Sequence, residues 1–353
     1  MGTILFVAVH KGPYLSIAPL QAEFESKKVL FLVEGPAKEA CRAGGQAYWE
    51  LSKVVQQCGT IDQFLKTQTV QAIITGTSDG LPEGNIEEQA VIAAVDMGIS
   101  LFVIEDFPGN YRHRPGTKLD GLFVEDEMTR DVHASCGVPP ELIYCAGNPR
   151  YDGLHAVDRE ALRVGTRARL ALGDEQVILW AGQPEAARSF DAFARLVPCL
   201  VQAGVTVLFK AHPRDRLYRE GAYRPLLSGI RQVKDVTDER ETAGLCCAAD
   251  LVITQFSSVG VEAGYLGTPA LYVLFDDLGK AYLRQHKGYE IVPWVERGCA
   301  FAMDSKSEMH NVIVTALFNE EARSQVRDNF SRWYGTRPLG AQAVGTIIRQ
   351  ILN

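Results

Sequence analysis

The sequence predicts an α/β protein built from two doubly wound parallel-sheet domains, and three observations carry that expectation. The chain has 353 residues, more than one core usually organises, since domains run to about 100–200 residues. Short apolar runs alternate with helix-period stretches along most of its length, and a strand, helix, strand succession implies parallel pairing. The alternation breaks at the turn-rich Gly147-Asn148-Pro149-Arg150-Tyr151-Asp152-Gly153 and then restarts, as it does at a domain boundary.

In the first half the predicted strands are Ile4–Val9, Val29–Val33, Ala72–Thr75, Leu101–Ile104, Leu122–Val124 and Leu142–Cys145, with amphipathic segments such as Glu50–Cys58 and Glu87–Met97 between them. Residues 1–155 therefore form one domain and 156–175 a connector, which includes the charged helical stretch Asp158–Leu172. Residues 176–353 form the second domain, with strands at Val177–Trp180, Val205–Lys210, Gly229–Gln232, Leu251–Thr254 and Ala270–Leu274. Closing helices around Glu320–Trp333 and Gly340–Leu352 follow the last strand and can pack on either half. Internal repeats and low-complexity tracts are absent.

Composition narrows the function classes. Hydrophobic residues make up 46% and charged residues 22%, ordinary for a soluble globular chain. With 36 basic and 43 acidic residues the net charge is -7, so there is no broad electrostatic footprint for nucleic acid. Any anion must be held by local chemistry. The apolar run in MGTILFVAVHKG is only about six residues, too short for a membrane span or a signal core. It reads as a first strand, and Phe6 stands where myristoylation wants Ser or Thr. The 8 cysteines (Cys41, Cys58, Cys136, Cys145, Cys199, Cys246, Cys247, Cys299) contain no C-x-x-C pair, which fits reduced cytoplasmic thiols and no structural zinc.

Doubly wound sheets bind ligands beyond the carboxyl ends of their strands, so the residues just after each strand matter most. Strand Leu251–Thr254 runs into Gln255-Phe256-Ser257-Ser258-Val259-Gly260-Val261-Glu262. Two serines thus sit at a helix start, where free amides and the helix dipole attract phosphate. Glu262, one turn in, suits ribose hydroxyls. Ser257 as a plain helix cap is the competing role. Strand Val205–Lys210 ends in Lys210-Ala211-His212-Pro213-Arg214-Asp215-Arg216, which offers an imidazole and cations to a diphosphate. The alternative is a solvated charge run with His212 in a turn.

These residues carry a resemblance. His212-Pro213, then Ala249-Asp250-Leu251-Val252-Ile253-Thr254 and Ser257-Ser258-x-x-x-Glu262-Ala263, completed by Gly267-Thr268-Pro269, resemble the donor half of GT-B fold glycosyltransferases. Bacterial CMP-sialic acid and CDP-glycerol transferases and the UDP-N-acetylglucosamine 2-epimerase group are closest in style. The resemblance implies two facing Rossmann-like domains with an interdomain cleft, and donor phosphate contacts from His212, Ser257 and Ser258. It is strong over the C-terminal half and holds only in outline before it.

In the first half, strand Leu101–Ile104 ends in Glu105-Asp106-Phe107-Pro108-Gly109-Asn110, which places carboxylates where a general base would sit. Asp106 resembles the acidic residue of the sialyltransferase-like families, although Phe107 and Pro108 interrupt their pattern, and capping of the next turn is its other role. His10 follows the first strand in a loop where other GT-B enzymes place a catalytic histidine; Asp106 would orient it. Thr77, in Thr75-Gly76-Thr77-Ser78-Asp79-Gly80, suits contact with a sugar or acceptor, or forms a surface turn. Glu127 and Gly147-Asn148-Pro149 resemble the epimerases. Their histidine-rich segment, however, is replaced here by Ala181-Gly182-Gln183-Pro184-Glu185.

The expected activity is therefore metal-independent transfer of a glycosyl or polyol-phosphate group from a nucleotide-activated donor to a hydroxyl acceptor. Asp106, His10 and His212 are the catalytic candidates. Lys210, Arg214, Thr254, Ser257, Ser258, Glu262, Thr77 and Glu127 are the substrate-binding ones. No cofactor is expected beyond the nucleotide sugar as co-substrate, and there is no Asp-x-Asp motif for a divalent ion. Partners are the donor and a small-molecule or glycan acceptor, with a homodimer compatible and neither nucleic acid nor an integral membrane segment expected. An epimerase and a non-catalytic nucleotide-sugar-binding protein are the alternatives.

Overall fold

In a computed structural model of the chain, residues 2–353 are described apart from 79–80, 114–115, 275–276, 306–307 and 336–338 and the side chains of 277–279, 282 and 286. The chain divides into two compact units. One comprises Met1–Asp152, His286–Gly288 and Arg337–Asn353; the other comprises Gly153–Gln285 and Tyr289–Thr336.

The first unit is a six-stranded sheet of β1 (Thr3–Ala8), β2 (Lys28–Val33), β3 (Val70–Thr75), β4 (Ser100–Ile104), β5 (Gly121–Val124) and β6 (Ile143–Cys145). The order is β2-β1-β3-β4-β5-β6, and every pairing is parallel. All six residues of β1 are buried, as required of a strand covered by helices on both faces. On one face Leu5, Val7, Ile73 and Leu101 pack with Ile86, Ala90 and Ala94 of the helix Ile86–Met97. On the other, Ile4, Phe6, Phe31 and Phe102 pack with Tyr14, Ile17, Val344 and Ile348. The last two belong to the closing helix Gly340–Leu352. Asp152 accepts from its first amides, Gly340 N–H at 2.7 Å and Ala341 N–H at 2.8 Å, satisfying orphan donors at the dipole's positive end.

The second unit is a parallel sheet of β7 (Val177–Ala181), β8 (Thr206–Lys210), β9 (Val233–Asp235), β10 (Leu251–Thr254), β11 (Ala270–Val273) and β12 (Phe301–Met303). Its order is β12-β11-β10-β7-β8-β9. Ile178, Trp180, Val207, Phe209, Ile253 and Leu271 build one core face. Val177, Leu179, Leu208 and Val252 build the other.

Three details depart from the sequence expectation. The strand expected over Gly229–Gln232 lies further on at Val233–Asp235, because Val233 is the residue that pairs with Val207. Strand β12 was not expected. The stretch 156–175, expected as a connector, is built into the second unit. Its helix Arg159–Arg169 is capped by Asp158, which accepts from Ala161 N–H. From that helix Arg163 reaches Asp250 at 2.8 Å and the carbonyl oxygen of Cys247 at 2.9 Å. Among the described residues no helix is long and apolar enough to cross a membrane.

Candidate functional site

Each sheet has one place where the direction of strand addition reverses, and loops diverge there to leave a crevice. In the first unit this lies between β1 and β3; in the second it lies between β7 and β10. Most of the predicted site residues stand at these two places or on the strand tips beside them.

At the first place Asp106 follows β4. Its Oδ1 accepts from Thr77 Oγ1 at 2.7 Å and Asn110 Nδ2 at 2.9 Å, and its own N–H donates to Thr77 Oγ1 at 3.2 Å. Oδ2 faces Gly12, where a Cβ would lie 2.7 Å from it; any side chain at position 12 would crowd the carboxylate. Burial pushes the Asp106 carboxyl above the usual carboxylate range, while the bonds from Asn110 and Thr77 and the charge of Arg150 hold it down. A carboxylate raised in this way is a better base near neutral pH.

The backbone under Asp106 is fixed from two sides. Asn148 Nδ2 donates to the carbonyl oxygens of Glu105, at 3.3 Å, and Asp106, at 3.4 Å. The buried Glu105 accepts from Tyr111 N–H and pairs with buried His133, both at 2.9 Å. The turn at Gly147-Asn148-Pro149 therefore serves to hold the Asp106 loop. Lys287, within the 286–288 segment of this unit, is buried and donates to the Asn110 side-chain oxygen.

His10 caps the helix Lys11–Ile17, and its N–H donates to Ser78 Oγ at 3.0 Å. Asp106 is oriented by Thr77 and Asn110. Thr77 needs correction. It is buried and its hydroxyl both donates to and accepts from Asp106, so it orients the carboxylate instead of meeting a sugar. Asp79 and Gly80 of the same loop lie outside the described residues. Glu127 opens the helix Glu127–Ser135 after β5, the strand that neighbours β4, whose end carries Asp106.

Glu87 escaped the sequence reading. It is buried and accepts from Val9 N–H at 2.9 Å, Ser78 N–H at 3.0 Å and the Ser78 hydroxyl at 2.5 Å. Burial pushes its carboxyl up to about 7. The one available signal was Asn85, whose side chain caps the helix by accepting from Glu87 N–H and Glu88 N–H.

In the second unit β7 is followed by Gly182, whose N–H donates to the Lys210 carbonyl at 2.9 Å. His212, half-buried beyond β8, accepts at Nδ1 from Arg214 N–H at 3.1 Å. That bond leaves Nε2 as the ring nitrogen that carries the proton. Arg214 is exposed. Lys210 was expected at a substrate phosphate; its Nζ instead donates to the carbonyl oxygens of Thr237, at 3.2 Å, and Glu239, fixing the segment after β9.

Thr254 is corrected likewise. It is fully buried, accepts from Gln183 Nε2 at 3.0 Å and donates to the Ala181 carbonyl at 2.8 Å. It locks β10 to β7 from beneath. After β10, Ser258 caps the helix Val259–Tyr265 without a side-chain bond. Ser257 Oγ accepts from Val259 N–H at 3.2 Å. Glu262 is half-buried one turn in, where its charge adds to the burial that raises the Cys246 thiol. His212 and the two serines thus flank the tip of β7. Among the described residues no group of three or more His, Cys, Asp or Glu is arranged to hold a metal ion.

Known proteins share parts of this chain's sequence and its fold. The chain is 30% identical over 128 residues to the UDP-N-acetylglucosamine--N-acetylmuramyl-(pentapeptide) pyrophosphoryl-undecaprenol N-acetylglucosamine transferase of Nocardia farcinica. That match covers 35% of this chain, and the chain spans about a third (34%) of that relative. Among solved structures it resembles S. aureus MnaA bound to UDP, with a TM-score of 0.72 at 13% identity over 100% of this chain and 97% of that one. It also resembles Methanocaldococcus jannaschii UDP-GlcNAc 2-epimerase in complex with UDP-GlcNAc and UDP, at 0.69 and 15% over 99% and 100%. For the wall teichoic acid polymerase TagF the values are 0.59 and 14% over 99% and 88%. These similarities show a two-domain α/β fold of the GT-B type.

Residues 112–334 match a family described as CDP-Glycerol:Poly(glycerophosphate) glycerophosphotransferase. The match takes in Glu127, Lys210, His212, Arg214, Thr254, Ser257, Ser258 and Glu262, whereas His10, Thr77, Glu87 and Asp106 precede it. It spans more than half of the chain, and the protein accordingly belongs to the CDP-glycerol:poly(glycerophosphate) glycerophosphotransferase family.

Proposed function

We propose that the protein transfers a polyol-phosphate or glycosyl group from a nucleotide-activated donor to a hydroxyl acceptor, with the second unit holding the donor and the first activating the acceptor. The observation that carries this reading is the fixed ring of His212, which keeps a proton on Nε2 at the strand tip beside β7. Family membership supports a nucleotide-activated donor.

The acceptor O–H gives its proton to Asp106, and Oδ2 is the oxygen outside the bonds to Thr77 and Asn110. The freed oxygen forms a bond to the transferred group as the bond from that group to the nucleotide phosphate breaks. The electron pair and negative charge leave with the nucleotide. His212, Ser257, Ser258 and the amides opening the helix Val259–Tyr265 meet that charge, without a divalent metal. One preorganised donor of this kind contributes about 10²–10³ in rate. His10, which follows β1, is assigned the part of a secondary proton carrier.

A 2-epimerase reading is less well supported. The tip of β7 presents Gly182 and Gln183, and the Gln183 amide is engaged with Thr254. Incubation with CDP-glycerol, with and without a glycerophosphate primer, separates the classes. Acceptor-dependent release of CMP supports transfer. A new nucleotide-linked isomer from donor alone, or binding without turnover, would overturn it.

A further inference from the structure

Glu87 lies under the two loops that carry His10 and Thr77, and three donors converge on its carboxylate. Oε1 accepts from Val9 N–H and the Ser78 hydroxyl; Oε2 accepts from Ser78 N–H. His10 N–H in turn donates to Ser78 Oγ. One buried side chain therefore ties the loop after β1 to the loop after β3, at the reversal point of the sheet. It does so next to Asp106, whose partner Thr77 directly precedes Ser78. A fourth constraint is steric: a Cβ on Gly76 would lie 2.4 Å from Pro13 Cβ, so the loop after β3 packs closely on the helix Lys11–Ile17 that follows His10.

Only an ionised carboxylate can accept all three bonds. Protonation turns the bond to Ser78 Oγ around, so that Glu87 donates there, and leaves the protonated Oε1 a weaker acceptor for Val9 N–H; a glutamine must turn an N–H toward one of the two backbone N–H donors, and that donor is left unsatisfied in a buried place. We infer that Glu87 is a positioning residue and a pH-sensitive latch. Ionised, it holds the His10 and Thr77 loops in the arrangement that orients Asp106; protonated, it holds them more loosely. The inference deepens the transfer reading and rests on it for its consequence in turnover.

The charged and titratable groups around the latch are consistent with this. Asp106 on the tip of β4 repels the Glu87 charge and, with burial, favours its protonation, while the bonds from Ser78 and Val9 oppose it. Beyond Asp106 stand Glu105, which raises that carboxyl, and Arg150, which lowers it. His10 caps the neighbouring helix. The balance puts the midpoint at about 7, so the latch changes state within the physiological range.

The test uses the full chain in two measurements. In amide NMR spectra from pH 5.5 to 8.5, Val9 and Ser78 N–H resonances should titrate together with a midpoint near 7, and their exchange protection factors, taken relative to the base-catalysed intrinsic rate, should fall on the acid side. In Glu87→Gln the titration should vanish and the protection factors stay low throughout. With CDP-glycerol and a glycerophosphate primer, Glu87→Gln should lose about tenfold in kcat at pH 8, the cost of a misoriented base, with KM for CDP-glycerol within twofold. Val9 and Ser78 amides that do not titrate together in the wild type, or a variant with wild-type kcat, would overturn the latch. Should Glu87→Gln fail to fold, the wild-type titration decides alone. Absence of turnover in the wild type would count against transfer, and the amide titration would still judge Glu87.

Discussion

Thr77 and Asp106 hold each other reciprocally: the threonine hydroxyl donates to the carboxylate at 2.7 Å and accepts the aspartate's own N–H at 3.2 Å. One hydroxyl thereby fixes both the side chain and the backbone of the proposed base. Thr77→Val keeps the shape and removes both bonds. The rate should fall about 10-fold to 10²-fold. The remaining pH profile should move toward higher pH, because the Thr77 bond favours the ionised carboxyl. Steady-state kinetics against pH checks both; an unmoved profile would mean that Thr77 is structural only.

Asp106→Asn separates the two units' tasks. Transfer from CDP-glycerol should become undetectable, while calorimetric affinity for CDP stays within about twofold, since the proposed donor contacts lie in the second unit. Parallel loss of affinity and turnover would assign Asp106 a structural role.

Glu87 also leaves a mark on stability. Its carboxyl is raised from 4.5 to about 7 by burial, so between these values the folded chain holds a proton that the unfolded chain has released. Stability on this account is full below pH 4.5 and falls as pH rises through about 7, by roughly 3 kcal/mol at 1.36 kcal/mol per unit. Urea unfolding of wild type and Glu87→Gln across that window should show a difference that shrinks as pH rises; a difference independent of pH contradicts the assignment. The ionised state that orders the loops is thus the one that costs folding energy, a usual bargain at a functional site.

Asp250 ties the helix Arg159–Arg169 to two strands. It pairs with Arg163 at 2.8 Å and accepts from Val177 N–H at 2.8 Å. Asp250→Asn weakens a partly buried, charge-assisted arrangement and should cost about 1–3 kcal/mol, lowering the melting temperature without changing CDP affinity. A melt equal to the wild type would show that the pair is a surface contact of little worth.

The fold was largely legible because buried parallel strands read as unbroken apolar runs, as at Ile4–Val9 and Leu251–Thr254. The error at β9 arose where a three-residue edge strand has one buried residue, Val233, too short for any pattern. Strand-end position was a sound guide to where His212, Ser257 and Asp106 stand. It could not say which neighbouring polar groups are engaged underneath. Thr77, Thr254 and Lys210 look from sequence like ligand contacts, yet their bonds go to Asp106, to the β7 tip and to the carbonyls after β9. Glu87 was hidden for the converse reason: it sits in the first turn of a helix, where acidic residues are common for dipole reasons alone. Only the packing of two loops onto it shows its place.

The central claim is that a nucleotide-activated donor departs against His212. Turnover of saturating CDP-glycerol by His212→Ala measures this directly, beside a thermal melt that verifies the fold. A fall of about 10²-fold or more in kcat with an unchanged melt is the predicted result. Near wild-type turnover in that variant would contradict the account.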